Sequence, residues 1–382
     1  MKKIVIITSA YHPTSGGVAN ATKGFAEALA EFGCETHILT FKSFRSKLTS
    51  QEVINKVFIH RITLVGKIFK LLRVVSKWVA LYVISLCIRQ KIKEIKPDII
   101  MGQMVYWGGV LAAFSKRYYS KTITVAFAHG EDVNQLSGNR IKILFTKYSL
   151  KHNDLIFTTN SDFAGNLRSY VDKEIKILPN VFLNMVQEIN YQERLRNKDF
   201  KILCIGRLNS YNGIEIKGFS SVLKAMESLQ NCKLDIIGDG PLMKEYQEYS
   251  IKHDLVDKVE FHRKLDREVT LNYINKSHVV ALPSNIEGLS MVMIEAMHYG
   301  VPLIATRVGG AKDYVKNGVN GFLIDKNDVK SIVEKIKQLQ NNPELLLQMS
   351  RNARDTYLNN FTPSRVVDKF NKIINKVEEN KK

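Results

Sequence analysis

Short aliphatic runs alternate with longer amphipathic segments along most of the 382-residue chain. This alternation is typical of parallel sheets whose strands are connected by helices. The first half predicts strands in KIVIIT, THILTF, PDIIMG, ITVAFAHG, LIFTTN and IKILPN. The second half predicts strands in FKILCIGRL, KLDIIGDGP, KVEFHRKL, HVVALPSN, VPLIATRVGG and GFLIDKND. The pattern therefore indicates an α/β protein with two doubly wound sheets in succession.

The segments between these strands predict the helices. A first helix is marked by Val18, Phe25, Leu29 and Phe32, which recur at helical spacing before Gly33. A long basic segment between THILTF and PDIIMG is also predicted to be helical. A last helix follows FTPSR and has no strand after it.

The strand pattern lapses in the charged segment NYQERLRNKD and then restarts. We therefore predict a first domain at 1–183, a linker at 184–198 and a second domain at 199–360. The last helix, 361–382, is expected to pack back on the first domain. Because open α/β sheets bind ligands at the carboxyl ends of their strands, we expect the two domains to face each other across a ligand-binding cleft.

Composition narrows the class of protein. With 45% hydrophobic and 24% charged residues, the chain is neither disordered nor fibrous. The uncharged segment WVALYVISLCI, residues 78–88, is about half as long as a spanning helix. The four cysteines are scattered, without the spacing of a zinc site, and fit reduced thiols in a cytoplasmic protein.

The net charge of +19 is concentrated in the first half of the chain. Residues 42–96 hold 13 basic and 2 acidic residues. Within them, Lys67, Lys70, Arg73 and Lys77 form one stripe of a predicted helix with an apolar remainder. Such a helix suits the surface of an anionic membrane, and a solvent-exposed basic face on an ordinary packed helix is the alternative.

Two carboxylates stand out in the segment LPSNIEGLSMVMIEAMHYGVPLIAT. Glu287 lies in a loop before a helix predicted to start near Ser290, and Glu295 lies inside that otherwise apolar helix. The free N–H groups of a helix start attract phosphate, and carboxylates accept hydrogen bonds from sugar hydroxyls. A nucleotide-sugar could therefore bind here, with its ribose at Glu295. A buried Glu295 paired with a lysine or with backbone is the alternative.

The segment EGLSMVMIE resembles the E-x7-E signature of glycosyltransferase family 4, the retaining glycosyltransferases of GT-B fold. The resemblance covers nearly the whole chain. It implies two Rossmann-like domains, the first binding the acceptor and the second binding the nucleotide-sugar donor. It further implies that Glu287 contacts the transferred sugar, that Glu295 contacts the ribose, and that Gly288, Leu289 and Ser290 line the donor site.

The segments IGRL and IKGF resemble the Arg–Lys pair of the family, here Arg207 and Lys217. Two fixed cations neutralise the diphosphate as it leaves, so the resemblance implies that no metal and no cofactor are needed. The intervening NSYNGIEI is a few residues longer than the family usually shows. This extra length could move Lys217 out of register.

Two more matches lie in the first half. The segment TSGGVANATK places Gly16 and Gly17 at a helix start, where the resemblance implies contact with the donor diphosphate. In VAFAHGEDV, His129 matches a strand-end histidine that hydrogen-bonds the transferred sugar. The resemblance gives Glu131 and Asp132 weaker roles on the acceptor side.

The remaining matches are structural or incomplete. The turn GDGP, with Gly238, Gly240 and Pro241, reads as a structural element. Asp313 stands where the family has a glutamate after Gly-Gly, and Val181 replaces the glycine of a Pro-Asn-Gly turn.

These features together predict a hexosyltransferase of bacterial polysaccharide or lipopolysaccharide biosynthesis. Its partners would be a nucleotide-sugar, a lipid-linked glycan and the cytoplasmic face of an anionic inner membrane. A nonhydrolysing sugar-nucleotide epimerase of the same fold is one alternative. A non-enzyme that binds nucleic acid or membrane, or a catalytically silent subunit, is another, and no recognised nucleic-acid-binding module supports nucleic acid as the partner.

Overall fold

A computed structural model describes residues 1–14, 16–43, 46–64, 77–130, 133, 139–183, 189, 191–196 and 198–381. The chain folds into two compact units. The first comprises Met1–Leu183 and Thr362–Lys382, and the second comprises Asn184–Phe361. Within the described ranges, no helix combines the length and apolarity that crossing a bilayer requires. All four cysteines lie in these ranges and are free thiols.

The first unit is built on an eight-stranded sheet of order β3-β4-β2-β1-β5-β6-β7-β8. Its strands are β1 (Lys3–Ile7), β2 (Glu35–Ser43), β3 (Gln51–Ile54), β4 (Val57–Leu64), β5 (Ile99–Gln103), β6 (Ile123–Ala128), β7 (Leu155–Thr158) and β8 (Lys176–Ile177). All neighbours pair in parallel except β3 and β4. The order reverses between β1 and β5, which makes their carboxyl ends the expected ligand edge.

Helices cover both faces of this sheet. They are α1 (Gly17–Glu31), α2 (Lys77–Ile95), α3 (Gly109–Ser115), α4 (Arg140–His152), α5 (Ser161–Arg168) and the last helix, α14 (Pro363–Glu379). In β1, Ile4 and Ile6 pack with α1 and α14, while Val5 and Ile7 pack with α2 and α3. Phe370 of α14 meets Phe25 of α1 edge-on, with ring centroids 5.4 Å apart. The last helix is thus part of the core of the first unit.

The prediction that the basic segment is helical throughout is wrong for its first part. Its residues 51–64 form the antiparallel hairpin β3–β4, in which Asn55 and Lys56 both take positive φ. The β-rich VFIHRITL of β4 extends the sheet beside β2, which a helix could not do. Lys67, Lys70 and Arg73 lie outside the described residues. Phe32, predicted on the apolar face of α1, is its C-cap and is 45% exposed.

The second unit has a six-stranded parallel sheet of order β13-β12-β9-β14-β15-β16. Its strands are β9 (Phe200–Ile205), β12 (Cys232–Ile237), β13 (Val259–His262), β14 (Val279–Leu282), β15 (Leu303–Thr306) and β16 (Gly321–Ile324). In chain order this is the 3-2-1-4-5-6 arrangement of dinucleotide-binding sheets, whose ligand crevice lies where the order reverses. That point falls between β9 and β14. A separate hairpin, β10 (Ser210–Tyr211) with β11 (Ile214–Glu215), projects after β9.

Eight helices accompany this sheet in the described ranges of the second unit. They are α6 (Tyr191–Leu195), α7 (Phe219–Met226), α8 (Met243–Lys252), α9 (Arg267–Lys276), α10 (Met291–His298), α11 (Gly310–Tyr314), α12 (Val329–Gln340) and α13 (Pro343–Asn360). Their apolar faces join the strands in one core that includes Ile202, Leu234 and Ile336. The helix α6 lies inside the segment 184–198 that we predicted as a linker.

Two glycines hold the loop before α10 against the loop after β15. The backbone N–H of Gly310 donates to the carbonyl of Gly288, at 2.7 Å. A Cβ added at Gly309 would lie 2.4 Å from the carbonyl oxygens of both Glu287 and Gly288, and Gly309 has φ +53°. Only glycine tolerates this approach and conformation. The position of the Glu287 loop therefore depends on Gly309.

The far end of α10 is anchored by two buried arginines. Arg194 of α6 donates to the carbonyls of Gly300 and Tyr299, both at 2.9 Å, and to Asn275 at 3.1 Å. Arg354 of α13 donates to the carbonyl of His298. Cations at a helix carboxyl terminus satisfy its orphan carbonyls and oppose its dipole. Burial lowers the pKa of Arg194 to about 10, which still leaves it charged at neutral pH.

Replacing Arg194 by leucine should destabilise the second unit, because three carbonyls lose a charged donor. We expect the free energy of unfolding to fall by about 3 kcal/mol in urea titrations followed by circular dichroism. Both tryptophans, Trp78 and Trp107, lie in the first unit, so their fluorescence follows that unit separately. Arg196→Leu, at an exposed position, is the matched control. Equal stability of the two variants would refute the anchoring role.

Gly309→Ala should lower the melting temperature because its methyl group has no space. Gly318→Ala is the control, since Gly318 also has positive φ, +78°, but a Cβ there meets nothing within 4 Å. We expect Gly309→Ala to melt at least about 4 °C below Gly318→Ala in calorimetry, equivalent to an extra 1–2 kcal/mol. Identical melting temperatures would mean that the 287–288 loop adapts freely.

Candidate functional site

The predicted donor residues of the second unit gather where its strand order reverses. Arg207 and Lys217 follow β9, and Glu287 follows β14, the strand beside it. The ammonium of Lys217 lies 2.5 Å from a carboxylate oxygen of Glu287. Both side chains are about one-fifth exposed, at 20% and 18%. Two residues 70 positions apart thus form one ion pair that solvent and ligands can still reach.

The stem of Lys217 lies across Gly206. A Cβ added at Gly206 would meet the Cε, Cγ and Cδ atoms of Lys217 at 3.1–3.3 Å. The backbone of Gly206 also packs closely against Gly238, because a Cβ added at Gly238 would clash with the carbonyl oxygen of Gly206. The GDGP turn therefore has the structural role that the sequence suggested. The extra residues before Lys217 form the hairpin β10–β11, so Lys217 still reaches Glu287.

Arg207 occupies the carboxyl end of β9 with an exposed side chain. Among the described residues, none forms a hydrogen bond or an ion pair with its guanidinium. Its backbone is fixed, because the N–H of Leu208 donates to the carbonyl of Asp239 at 3.0 Å. Arg207 is therefore a cation presented to solvent from a rigid turn, which is what recognition of a phosphate requires.

The start of α10 lies beside this pair. Ser290 is its N-cap with extended backbone, and the Ser290 side chain makes no capping hydrogen bond. Leu289 and Ser290 are buried, while Gly288 is half-buried. Ser284, Glu287 and Ser290 border one small cavity together with Thr306. The first N–H groups of α10 thus carry the positive end of a helix dipole beside Lys217 and Glu287.

Glu295 is bound by an arginine. The guanidinium of Arg267, at the start of α9, donates to its carboxylate at 2.9 Å. The Glu295 side chain is 6% exposed and that of Arg267 is 53% exposed. Burial raises the pKa of Glu295, and the Arg267 charge acts in the opposite direction. The sequence had suggested lysine or backbone as the alternative partner, and the ribose contact stays a prediction.

The predicted residues of the first unit lie at the ligand edge of its own sheet. Gly16 is the N-cap of α1, and a Cβ at Gly16 or Gly17 would meet nothing within 4 Å, so the helix start is open. His129 follows β6, where its ring stacks on Phe127 with centroids 4.5 Å apart. Its Nε2 contacts the buried Gln103 at the end of β5. With the Gln103 carbonyl oxygen as acceptor, Nε2 carries the proton.

Other predicted residues contribute less. Glu131 and Asp132 lie outside the described residues, so their acceptor-side roles stay predictions. Asp313 is exposed in the first turn of the short α11. Val181 is buried, and its carbonyl lies against Gly24 of α1.

Sequence reasoning missed the partners that hold the site. Arg267 was not singled out, although it follows Asp266 at a helix start. Asp235, Glu260 and His262 come together on β12 and β13 as a group of metal-ligating types, with His262 Nε2 2.8 Å from Asp235. Asp235 lies 25 and 27 positions before Glu260 and His262, and the pairing of β12 with β13 brings the three residues together. Such a spacing is not one that predicts a metal site from sequence.

Comparison with known proteins identifies related families over both halves of the chain. Residues 15–182 match the family model described as Glycosyltransferase Family 4, and residues 185–356 match that of Glycosyl transferases group 1. An uncharacterized glycosyltransferase of Methanocaldococcus jannaschii is 28% identical, with 92% of each chain aligned. A Campylobacter jejuni enzyme, named GalNAc-alpha-(1->4)-GalNAc-alpha-(1->3)-diNAcBac-PP-undecaprenol alpha-1,4-N-acetyl-D-galactosaminyltransferase, is 24% identical, with 99% of each chain aligned.

The fold has close counterparts among solved structures. The Anabaena protein HepE, solved in complex with UDP, superposes with a TM-score of 0.76 at 16% identity, covering 98% of this chain and 100% of its own. The GT-B architecture and the family that the sequence motifs implied are thereby confirmed. The chain belongs to the GT-B glycosyltransferases, with a family 4 amino-terminal half and a group 1 carboxyl-terminal half.

Proposed function

We propose that the protein is a retaining glycosyltransferase. It moves a hexosyl group from a nucleotide-sugar to a hydroxyl of a lipid-linked glycan in bacterial polysaccharide or lipopolysaccharide biosynthesis. The observation that carries the proposal is the Lys217–Glu287 ion pair at the strand-order reversal, beside the start of α10. It combines a cation for phosphate and a carboxylate for sugar hydroxyls within one solvent-accessible group.

The donor is held by the second unit. Arg207, Lys217 and the first N–H groups of α10 bind the diphosphate, since all three are positive and Arg207 is exposed. Glu287 accepts hydrogen bonds from the transferred sugar. Glu295 accepts them from the ribose, sharing its carboxylate with Arg267. The lysine has three donors, so it can bind phosphate while it keeps its contact with Glu287.

In the reaction, the bond between the anomeric carbon and the diphosphate oxygen breaks. The acceptor oxygen bonds to that carbon on the same face, and its proton passes to the departing diphosphate. Arg207 and Lys217 stabilise the charge that develops on the leaving group, so the reaction requires no metal. His129 hydrogen-bonds the transferred sugar, the role that the family resemblance implies.

In this proposal the acceptor belongs to the first unit, and Gly16 and Gly17 at the open start of α1 keep the diphosphate contact that the family resemblance implies. A lipid-linked acceptor is supported by the undecaprenol-linked substrate in the name of the Campylobacter jejuni relative. Such an acceptor resides in a bilayer, so the enzyme must work at a membrane surface.

A membrane-facing surface is supported by the exposed side chains of α2 and α4. Val79, Tyr82 and Leu86 lie 3 and 4 positions apart on α2 and are 42–44% exposed. On α4, Ile141 and Leu144 are 46% and 54% exposed. Both helices pack on α3 in one layer. Their sequences hold eight Lys or Arg residues and one acidic residue, Glu94. Each cation contributes about 1 kcal/mol at an anionic surface.

The activity is tested with a panel of nucleotide-sugars and lipid-linked glycan acceptors, followed by nucleoside diphosphate release. We expect release to depend on the acceptor, to persist in EDTA, and to give a product with the anomeric configuration of the donor by proton NMR. Glu287→Gln should lower kcat/KM about 100-fold through a lost charged hydrogen bond. Glu295→Gln should raise the donor KM about tenfold with kcat nearly unchanged.

Glu334→Gln, at an exposed position that pairs only with its neighbour Lys335 among the contacts seen, is the control and should keep full activity. An epimer formed without acceptor would overturn the proposal in favour of a sugar-nucleotide epimerase. Full activity of Glu287→Gln would refute the site, and an inverted product would refute retention.

Membrane binding is tested by co-sedimentation with vesicles of phosphatidylglycerol and phosphatidylcholine. We expect binding that weakens as salt rises and falls at least tenfold in the variant with Tyr82→Asp and Leu86→Asp, because two apolar contacts are lost and two negative charges gained. Val53→Asp, on the exposed side of β3, is the control with the same kind of substitution. Equal binding by both proteins, or salt-sensitive binding to DNA alone, would contradict this surface.

A further inference from the structure

The residues that separate Arg207 from Lys217 form a complete hairpin. Ser210–Tyr211 pairs antiparallel with Ile214–Glu215. The turn residues Asn212 and Gly213 have φ of +50° and +76°, the left-handed conformations of a two-residue turn. The N–H of Ile216 donates to the carbonyl of Asn209 at 3.0 Å and closes the base. The chain leaves the sheet edge after Arg207 and returns to it just before Lys217.

Glu215 fixes the returning strand of this hairpin. Its carboxylate accepts hydrogen bonds from the Ser220 N–H at 3.2 Å, from the Ser220 hydroxyl at 2.5 Å and from the Tyr246 hydroxyl. Ser220 belongs to the first turn of α7, and Tyr246 belongs to α8 and is 2% exposed. Burial, and then the bond to Glu215, raise the pKa of Tyr246, so it is a neutral donor. One carboxylate thus ties the hairpin to two helices.

The backbone of the same strand holds the Glu287 loop. The side-chain amide of Asn285 donates to the carbonyl of Glu215 at 2.8 Å. The N–H groups of Asn285 and Ile286 donate to the carbonyl of Ile216 at 2.9 Å and 3.3 Å. Residues 215–216 are therefore bonded to the loop that carries Glu287, and the very next residue is Lys217.

From these contacts we infer that Glu215 and Tyr246 are positioning residues for the Lys217–Glu287 pair. The carboxylate of Glu215 anchors residues 215–216. These residues determine the position of the Lys217 backbone, which follows directly, and the position of the loop that carries Glu287. The inference rests on the proposed function, since it assigns Lys217 to the leaving diphosphate. It makes the hairpin part of the catalytic framework, although the side chains at its tip, Tyr211 and Ile214, are exposed to solvent.

The chain offers a matched control three residues along α8. The Tyr249 hydroxyl also donates to a glutamate, Glu227 at the end of α7. That bond joins the same two helices, and none of the contacts seen for Glu227 or Tyr249 involves the hairpin or the Glu287 loop. Tyr246→Phe and Tyr249→Phe therefore remove the same kind of interaction, and only the first removes support from Lys217.

Steady-state kinetics of the full-length variants test the inference. We expect Tyr246→Phe to lower kcat about tenfold with the donor KM within about twofold of wild type, because a displaced cation loses transition-state stabilisation first. Tyr249→Phe should keep wild-type kcat. Glu215→Gln, which retains an acceptor oxygen, should lose less activity than Glu215→Asp, whose carboxylate is one methylene short. The losses in a Tyr246→Phe, Glu215→Gln double variant should not add.

Melting temperatures of all variants separate positioning from folding. Equal losses of kcat in Tyr246→Phe and Tyr249→Phe, or losses that follow the melting temperature across the series, would overturn the inference. Should Tyr246→Phe fail to fold, the two Glu215 variants decide the question. At equal melting temperature, a higher kcat for Glu215→Gln than for Glu215→Asp supports the inference, and the reverse order overturns it. Absence of acceptor-dependent transfer by the wild-type protein would instead refute the proposed function.

Discussion

The ion pair between Lys217 and Glu287 depends on one constraint, the adjacency of β9 and β14 in the sheet of the second unit. Because the sheet order reverses there, the loops after these strands leave in different directions and open a crevice between them. Each loop is then held by contacts that leave little freedom. Because Gly309 has no side chain, the carbonyl groups of the Glu287 loop pack directly against it. In the same way, the stem of Lys217 packs against Gly206. The pair is therefore fixed by backbone packing, and its charges remain accessible at the surface.

The helix α10 shows how a buried apolar element can present the positive end of its dipole. Its sequence is hydrophobic on nearly all sides, so it is buried and its polar ends need partners inside the protein. Arginines supply them at the carboxyl end, where Arg194 and Arg354 bind its last carbonyls. At the amino end the N–H groups have no side-chain cap. This asymmetry leaves the positive end of the dipole for a ligand, while Arg267 neutralises the carboxylate of Glu295 within the helix.

The sequence predicted the parallel strands because each is an aliphatic run bounded by turn residues, and it predicted a helix starting near Ser290, where α10 begins. The roles that the E-x7-E motif gives to Glu287 and Glu295 stay predictions. It failed where local patterns compete. The β3–β4 hairpin turns at Asn55-Lys56, which is no common turn signal, and its basic surroundings favoured a helix. The β10–β11 hairpin carries the stronger signal Asn212-Gly213, but the segment was read only as extra length. Partners such as Arg267 for Glu295 come from packing between distant elements, which no spacing in one sequence reveals.

The charges of these groups bear on how the proposed reaction would proceed. Arg207 and Lys217 bring two positive charges and Glu287 one negative charge, while Arg267 and Glu295 cancel. The start of α10 adds about half a positive charge, so the site offers about +1.5 to a donor diphosphate of charge −2. Breaking the glycosidic bond would make the charge of the diphosphate −3, which the positive charge of the site does not balance. Transfer of the acceptor proton to the leaving diphosphate restores −2. The electrostatics of the site thus favour bond breaking only when an acceptor hydroxyl is present to supply its proton, which opposes loss of the sugar in its absence.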